Sequence, residues 1–350
     1  MAAKTAIGRV SPLLAAVLLT GAACSQPPAR VSFEPGMAPD LVWPAPPEAP
    51  RIAFLGEFST PADVGVSRST WSRIRDFIAG SAPDALIQPM AVAATAGGER
   101  IFIADHAAQL VYLFDRARGR FQRLQLEDDQ PLPSPVGLAL APDGRLFVTD
   151  SQLGRVFTAE PGSDLLRPLA LQENLRQPTG IAFDPDSGWL YVAETAAHRV
   201  SVFDQAGKLV KRIGSRGTGD GEFNFPTYLC LDGGRLMVAD SLNFRVQFFD
   251  QQFRFTGSAG TLGSAPGSLP RPKGIAVDSA GHLYVVDAVL HILQVFNRDG
   301  ALLLALGAQG EQPGEFWLPN GLWIAPDDTI YVADSRNRRV QVFRYVGPKA

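Results

Sequence analysis

The sequence predicts an all-β protein, a six-bladed β-propeller of four-stranded blades closed by an N-terminal strand. Three observations carry this: one motif recurs six times at a near-constant interval, a proline-led apolar run precedes each copy, and turn residues punctuate the rest. The motif copies are "FIADHAAQLVYLF" (102–114), "FVTDSQLGRVFTA" (147–159), "YVAETAAHRVSVF" (191–203), "MVADSLNFRVQFF" (237–249), "YVVDAVLHILQVF" (284–296) and "YVADSRNRRVQVF" (331–343). Their acids, Asp105, Asp150, Glu194, Asp240, Asp287 and Asp334, are spaced 45, 44, 46, 47 and 47 residues apart. A fixed period of this length marks a repeat architecture.

Each unit opens with a short run behind a proline: "PMAVAA", "PVGLAL", "PTGIAF", "PTYLCL", "PKGIAV" and "PNGLWI". Two further runs rich in Val, Ile, Leu and Phe follow, then an outer run such as "ALLLALG", with "APDG", "DSAG" and "NRDG" as tight turns. Such runs bounded by Asp, Asn and Gly read as strands joined by turns. Four short strands repeated radially make a propeller.

The sixth unit stops at "RVQVFRYVGPKA" without an outer strand, and "RIAFLGEF" (51–58) resembles the outer strands of the other units. Residues 51–58 therefore complete the last blade, and the propeller spans 51–346 with a short tail, 347–350. Closure removes the unpaired edges that would otherwise template aggregation. Between that strand and the first blade, Trp71, Ile74, Phe77 and Ile78 recur at helical spacing, predicting a short helix over 68–79. Chain order puts it on the face where ligands reach a propeller's channel.

Ahead of the propeller, Lys4 and Arg9 precede an apolar run, Leu13 to Leu19, and then small residues ending at Cys24. That order is a secretory signal, and the run is too short to span a bilayer. Residues 25–50 hold eight prolines, so 24–50 reads as an extended tether. Without residues 1–23 the chain has 30 basic and 35 acidic side chains, a net charge of −5. An anionic chain lacks the basic footprint of nucleic-acid binding. Cys230, in the apolar run "TYLCLD", reads as a buried inert thiol.

The motif "YVADSxNxRVQVF" behind "PxGIAVD" resembles the NHL repeat, matched best by the fourth and sixth copies. "TGAAC" resembles the lipobox of bacterial lipoproteins, in which the cysteine becomes the lipidated first residue; Gly21 departs from the leucine preferred there. The resemblance implies a signal peptide over 1–23, lipidation of Cys24, and a place in the cell envelope on the periplasmic side of the outer membrane.

Acid and arginine recur as Asp150/Arg155, Glu194/Arg199, Asp240/Arg245 and Asp334/Arg339, predicting pairs that stitch each hairpin. The residue after each leading proline is expected to face the axial channel: Met90, Val136, Thr179, Thr227, Lys273 and Asn320. Peptidyl-amidoglycolate lyases, which these repeats resemble, carry a metal-binding histidine in "PH" at that position, and no unit here does. Gluconolactonase-like propellers use an asparagine in "PNG" as a metal ligand, which Asn320 matches, yet no other axial position offers the carboxylates a hard cation needs. His198 and His291 sit four residues after their acids, His106 one residue after its own, an uneven set for one ion. His282 lies in a turn on the opposite face and reads as solvated. No metal and no cofactor are expected.

Arg271 and Lys273 with Arg336, Arg338 and Arg339 form a basic cluster on neighbouring units of an anionic chain. The expectation is a binding or scaffold module for an envelope protein or glycan, attached to the membrane by its lipid, without nucleic acid and without a complete catalytic set. A lyase or lactonase centred on the channel is the competing reading.

Overall fold

A computed structural model describes residues 31, 41–49, 51–66, 84–127 and 130–347. The signal segment, Cys24 and the helix expected over 68–79 lie outside the described residues.

Six antiparallel blades of four principal strands follow one another around the ring, and blades 1 and 2 are joined into one eight-stranded sheet where Arg120–Leu126 pairs parallel with Leu165–Pro168. In blade 1 the strands run Pro89–Ala94, Arg100–Asp105, Leu110–Asp115 and Arg120–Leu126; in blade 4 they run Pro226–Asp232, Arg235–Asp240, Arg245–Phe249 and Phe255–Ala259. The second and third strands of each blade are buried on both faces, which is why they read as apolar runs rather than alternating ones. Their side chains fill the spaces between blades. Tyr191 and Val200 of blade 3, for example, meet Leu229, Leu236 and Val238 of blade 4.

Each inner strand begins with its proline opposite the motif acid, as in Pro319↔Asp334, and the register shifts just after it in all six blades. Proline has no N–H to lose at a strand start. The irregularity that follows re-aims the next side chain, so the residue after the proline is the one presented at the axis. Inner strands crowd there. A Cβ on Gly137 would lie 2.1 Å from the Thr179 carbonyl oxygen, and one on Gly321 2.5 Å from that of Met90.

The ring closes as expected. Ile52–Phe58 pairs antiparallel with Arg339–Tyr345 and completes blade 6. The region read as a tether departs from expectation. Val42–Trp43 adds a fifth strand outside Ile52–Phe58, and Val31 forms a further bridge to Gly56. Val31 is buried, and Trp43 packs edge-on against Phe343 at 5.8 Å. An exposed outer strand offers free backbone groups, and a proline-rich segment can still use them wherever it has a non-proline residue.

Candidate binding face and axial channel

Two faces frame the channel. One carries the turns between the first and second strands of each blade. The other, here the loop face, carries the acid-containing loops and the connections from blade to blade. The loop-face hairpins are shaped by backbone as much as by charge. The residue four after each acid is left-handed: Gln109, His198, Phe244, His291 and Arg338 have φ of 57°, 54°, 60°, 59° and 56°, and blade 2 uses Gly154.

The expected hairpin pairs form in three of four cases. Arg339 Nε donates to Asp334 Oδ2 at 2.9 Å, Arg245 Nε to Asp240 Oδ2 at 3.0 Å, and Arg199 Nε to Glu194 Oε1 at 2.7 Å. Arg339 also donates to Glu57 and to the carbonyls of Glu311, Gln312 and Glu315, tying three segments together. Asp150 and Arg155 face each other across the ladder, but Arg155 turns out to solvent and forms no ion pair among the described residues. Asp150 is instead satisfied by the backbone N–H groups of Ser134, Gln152 and Leu153. Burial pulls the Glu194 carboxyl upward, but hydrogen bonds from Arg199, Ser201 and the Arg176 N–H outweigh it and hold it below the usual carboxylate range. At Asp334 burial wins and lifts the carboxyl above that range.

His198 and His291 are not brought together as ligands. Each Nδ1 accepts a backbone N–H from the following connection, Phe225 at 3.2 Å and Leu318 at 3.1 Å. Both therefore brace the next blade. Burial lowers His291 below its usual value, against the raising influence of Asp287 and Asp334. His106 has a buried Nδ1 with no partner among the described residues. His282 is not simply solvated, because its Nδ1 lies 2.9 Å from Asp278 Oδ2. Among the described residues no group of three His, Cys, Asp or Glu side chains is placed to hold a metal ion.

Hydroxyls stitch the axial ring. Thr179 Oγ1 donates to the Thr227 carbonyl at 2.8 Å and sits 2.7 Å from Thr195 Oγ1; Thr227 Oγ1 lies 2.5 Å from Ser241 Oγ. Thr195 and Ser241 donate onward to the carbonyls of Pro226 and Pro272. Thr179 and Thr227 are thus committed to the fold.

The residue that defines the channel is Tyr228, which the sequence reading passed over. Four blades have glycine at its position and blade 1 has Ala91. The Tyr228 ring crosses the axis, and its hydroxyl lies 2.6 Å from Asn320 Oδ1 and 2.9 Å from the Met90 carbonyl oxygen. Burial pushes the phenol well above its usual value. Asn320 is thereby a partner of Tyr228 rather than one ligand of an oxygen cage. Beyond Tyr228, toward the turn face, lies a chamber of about 190 Å³ lined by Phe183, Cys230, Leu231, Val277, Trp323 and Ile324 among others. Burial raises the Cys230 thiol far above its usual value, so it stays protonated.

The loop-face mouth differs. Lys273 is half-buried there, and Arg271 beside it is exposed. Burial lowers the Lys273 ammonium below its usual value; the Arg271 charge adds to this and Asp287 opposes it. The side chains of Arg271, Lys273, Arg336 and Arg338 make no ion pair or hydrogen bond among the described residues. A partly desolvated cation without a partner gains most from an arriving anion.

A repeated blade closed at the axis by backbone crowding defines the class, and comparison with known proteins agrees. The Teneurin NHL domain model matches residues 125–316, more than half of the chain, and the NHL repeat model matches 316–343. The chain belongs to the NHL-repeat β-propeller family. It is 32% identical, over 28% of its length, to peptidyl-glycine alpha-amidating monooxygenase of Mus musculus, and spans only 11% of that protein. Similar solved structures include virginiamycin B lyase from Staphylococcus aureus, at TM-score 0.54 and 15% identity over 74% of this chain and 96% of that one. An auxiliary nutrient binding protein from Bacteroides thetaiotaomicron is similar at TM-score 0.59 and 13% identity, over 75% and 70% of the two chains. Likeness at these identities shows the fold alone.

Proposed function

We propose that this propeller is an envelope-anchored binding module that takes an anionic protein or glycan on its loop face, centred on Lys273. One observation carries the reading: among the described residues the Lys273 and Arg271 side chains stand unpartnered at the mouth of a channel whose other axial polar groups are committed to one another. Anchoring is assigned to Cys24, as the lipobox resemblance implies. Support for binding also comes from the rigid ring, which holds the loops without needing to order them on contact.

The test uses two polyanions of different class, poly-L-glutamate and alginate, against the full chain. The expected result is salt-sensitive association with one of them, weakened about fivefold by Lys273→Met. Association unchanged by that substitution removes Lys273 from the site.

A second reading, a lyase-type reaction in the channel, is favoured by the similarity to the amidating monooxygenase. Metal analysis of the purified chain separates the two. Near-stoichiometric zinc supports the enzyme, and its absence together with salt-sensitive polyanion binding supports the module.

A further inference from the structure

We infer that the loop-face rim on blades 5 and 6 is a membrane-docking surface that seats on a bilayer with anionic headgroups. The inference rests on the anchoring at Cys24 proposed above.

Chain direction supplies the first argument. Ile52–Phe58 runs from the turn face to the loop face, and Val42–Trp43 outside it runs the opposite way. Trp43 pairs with Ile52 at the turn-face end, whereas Val31 bridges Gly56 and its N–H reaches the Asp63 carbonyl near the loop-face end. Val31 therefore sits toward the loop-face end of blade 6. Cys24 precedes Val31 by seven residues, which fully extended span at most about 25 Å. A lipid on Cys24 keeps that corner of the ring beside the bilayer.

The surface at that corner supplies the second argument. Val289, Trp317 and Leu318 project from the blade 5 loop and the blade 5-to-6 connection at 53%, 40% and 40% exposure. Arg271, Arg336 and Arg338 are exposed around them, and their side chains have no partner among the described residues. Tryptophan and leucine beside arginines suit the boundary between headgroups and acyl chains, where rings bury their apolar body and guanidinium groups meet phosphates. The presentation is built in. Leu318 is held in the left-handed region, φ 50°, while its N–H is fixed by His291 Nδ1. Gln177 and Phe225 hold the same left-handed place before their prolines, so this backbone belongs to the repeat and the side chain presented there differs between blades. Of the acids beside Arg336 and Arg338, Glu57 is occupied by Arg339, which leaves Glu311. The patch lies to one side of the axis, so docking tilts the ring and leaves the Lys273 mouth open toward blades 2 and 3.

The experiment uses the full acylated chain, its lipid verified by intact mass, in phosphatidylglycerol–phosphatidylethanolamine vesicles with brominated acyl chains. Bromide quenching of tryptophan emission is expected, with a component that disappears in Trp317→Phe. Replacing phosphatidylglycerol by phosphatidylcholine, or substituting Arg336→Gln with Arg338→Gln, is expected to reduce that component severalfold. Equal quenching in wild type and Trp317→Phe overturns the docking surface. A mass without acyl groups overturns only the anchor. The surface is then tested by sedimenting the same chain with phosphatidylglycerol vesicles, where Trp317→Phe with Leu318→Ser must bind at least fivefold more weakly. Equal sedimentation overturns the surface, leaving a protein partner as the occupant of the face.

Discussion

Arg339 and Arg338 are adjacent in sequence and opposite in role. Arg339 is buried, bound to Asp334 and Glu57, and donates to three carbonyls from the preceding connection. Arg338 is exposed in a left-handed turn position, and its guanidinium has no partner among the described residues. Arg245 in blade 4 repeats the first pattern, and Lys273 at the axis is closer to the second. A repeat thus holds two populations of cation on one face. Those at the recurrent position knit the blade, and those departing from the repeat are free for something else.

Breaking a knitted arginine is expected to have the largest effect. Arg339→Ala leaves Asp334 buried without its charge partner, a loss of about 3–5 kcal/mol in stability, measurable by denaturant unfolding. A loss under about 1 kcal/mol would place Arg339 with the exposed group.

The segment outside blade 6 comes next, because it knits without charge. Deleting residues 25–50 removes the Val31 bridge, the Val42–Trp43 pairing and the Trp43–Phe343 contact. The expected cost is about 2–4 kcal/mol, from the apolar burial of Val31 and Trp43, and Trp43→Ala alone should recover a large part of it. An unchanged unfolding midpoint would return the segment to the free tether its prolines suggested.

Tyr228→Phe tests whether the axis belongs to the structural population. The substitution leaves Asn320 Oδ1 and the Met90 carbonyl without the donor, at a cost of about 1–3 kcal/mol. A neutral outcome in unfolding, paired with altered binding, would instead make Tyr228 part of the site.

The smallest effect expected is a pH dependence at His291. Its folded value lies below its usual 6.5, so the unfolded chain binds the proton more readily as pH falls. Stability is therefore full above about that pH and declines as pH drops below it. His291→Asn, which tolerates the left-handed backbone, should flatten the fall in melting temperature between pH 7.5 and 5.5. An unchanged slope would remove His291 Nδ1 as the acceptor that braces Leu318.

Much of the fold was legible because six copies of one unit repeat its strands and turns. The proline-led inner strand, the acid loop and the missing outer strand could each be read against five others. What was missed lies where a unit departs from the rest. Tyr228 stood in plain view as the break in "PxG", but a glycine pattern says nothing of what a ring placed there reaches across the axis. Asp150/Arg155 looked equivalent to its relatives, yet blade 2 satisfies its acid with backbone and lets the arginine go. The prolines before residue 51 suggest a free tether, yet among the described residues Val31, Leu41, Val42 and Trp43 hold to blade 6 through backbone groups and apolar side chains. At the candidate site, the charges of Lys273, Arg271 and Arg338 were legible; their lack of partners was not, since pairing depends on neighbours from other blades.

The most direct test compares the two cation populations in one pair of assays. Lys273→Met with Arg338→Ala, and separately Arg339→Ala, are carried through thermal unfolding and through binding of whichever polyanion the wild-type chain takes, over a salt series. The double substitution is expected to unfold within about 1 kcal/mol of wild type, while its affinity falls at least tenfold and its salt dependence flattens, because surface cations act through screened attraction. Arg339→Ala is expected to unfold early and, where still folded, to bind with the wild-type salt dependence. Wild-type affinity in the double substitution, or a binding loss confined to Arg339→Ala, would contradict the division between cations that knit the propeller and cations that face its partner.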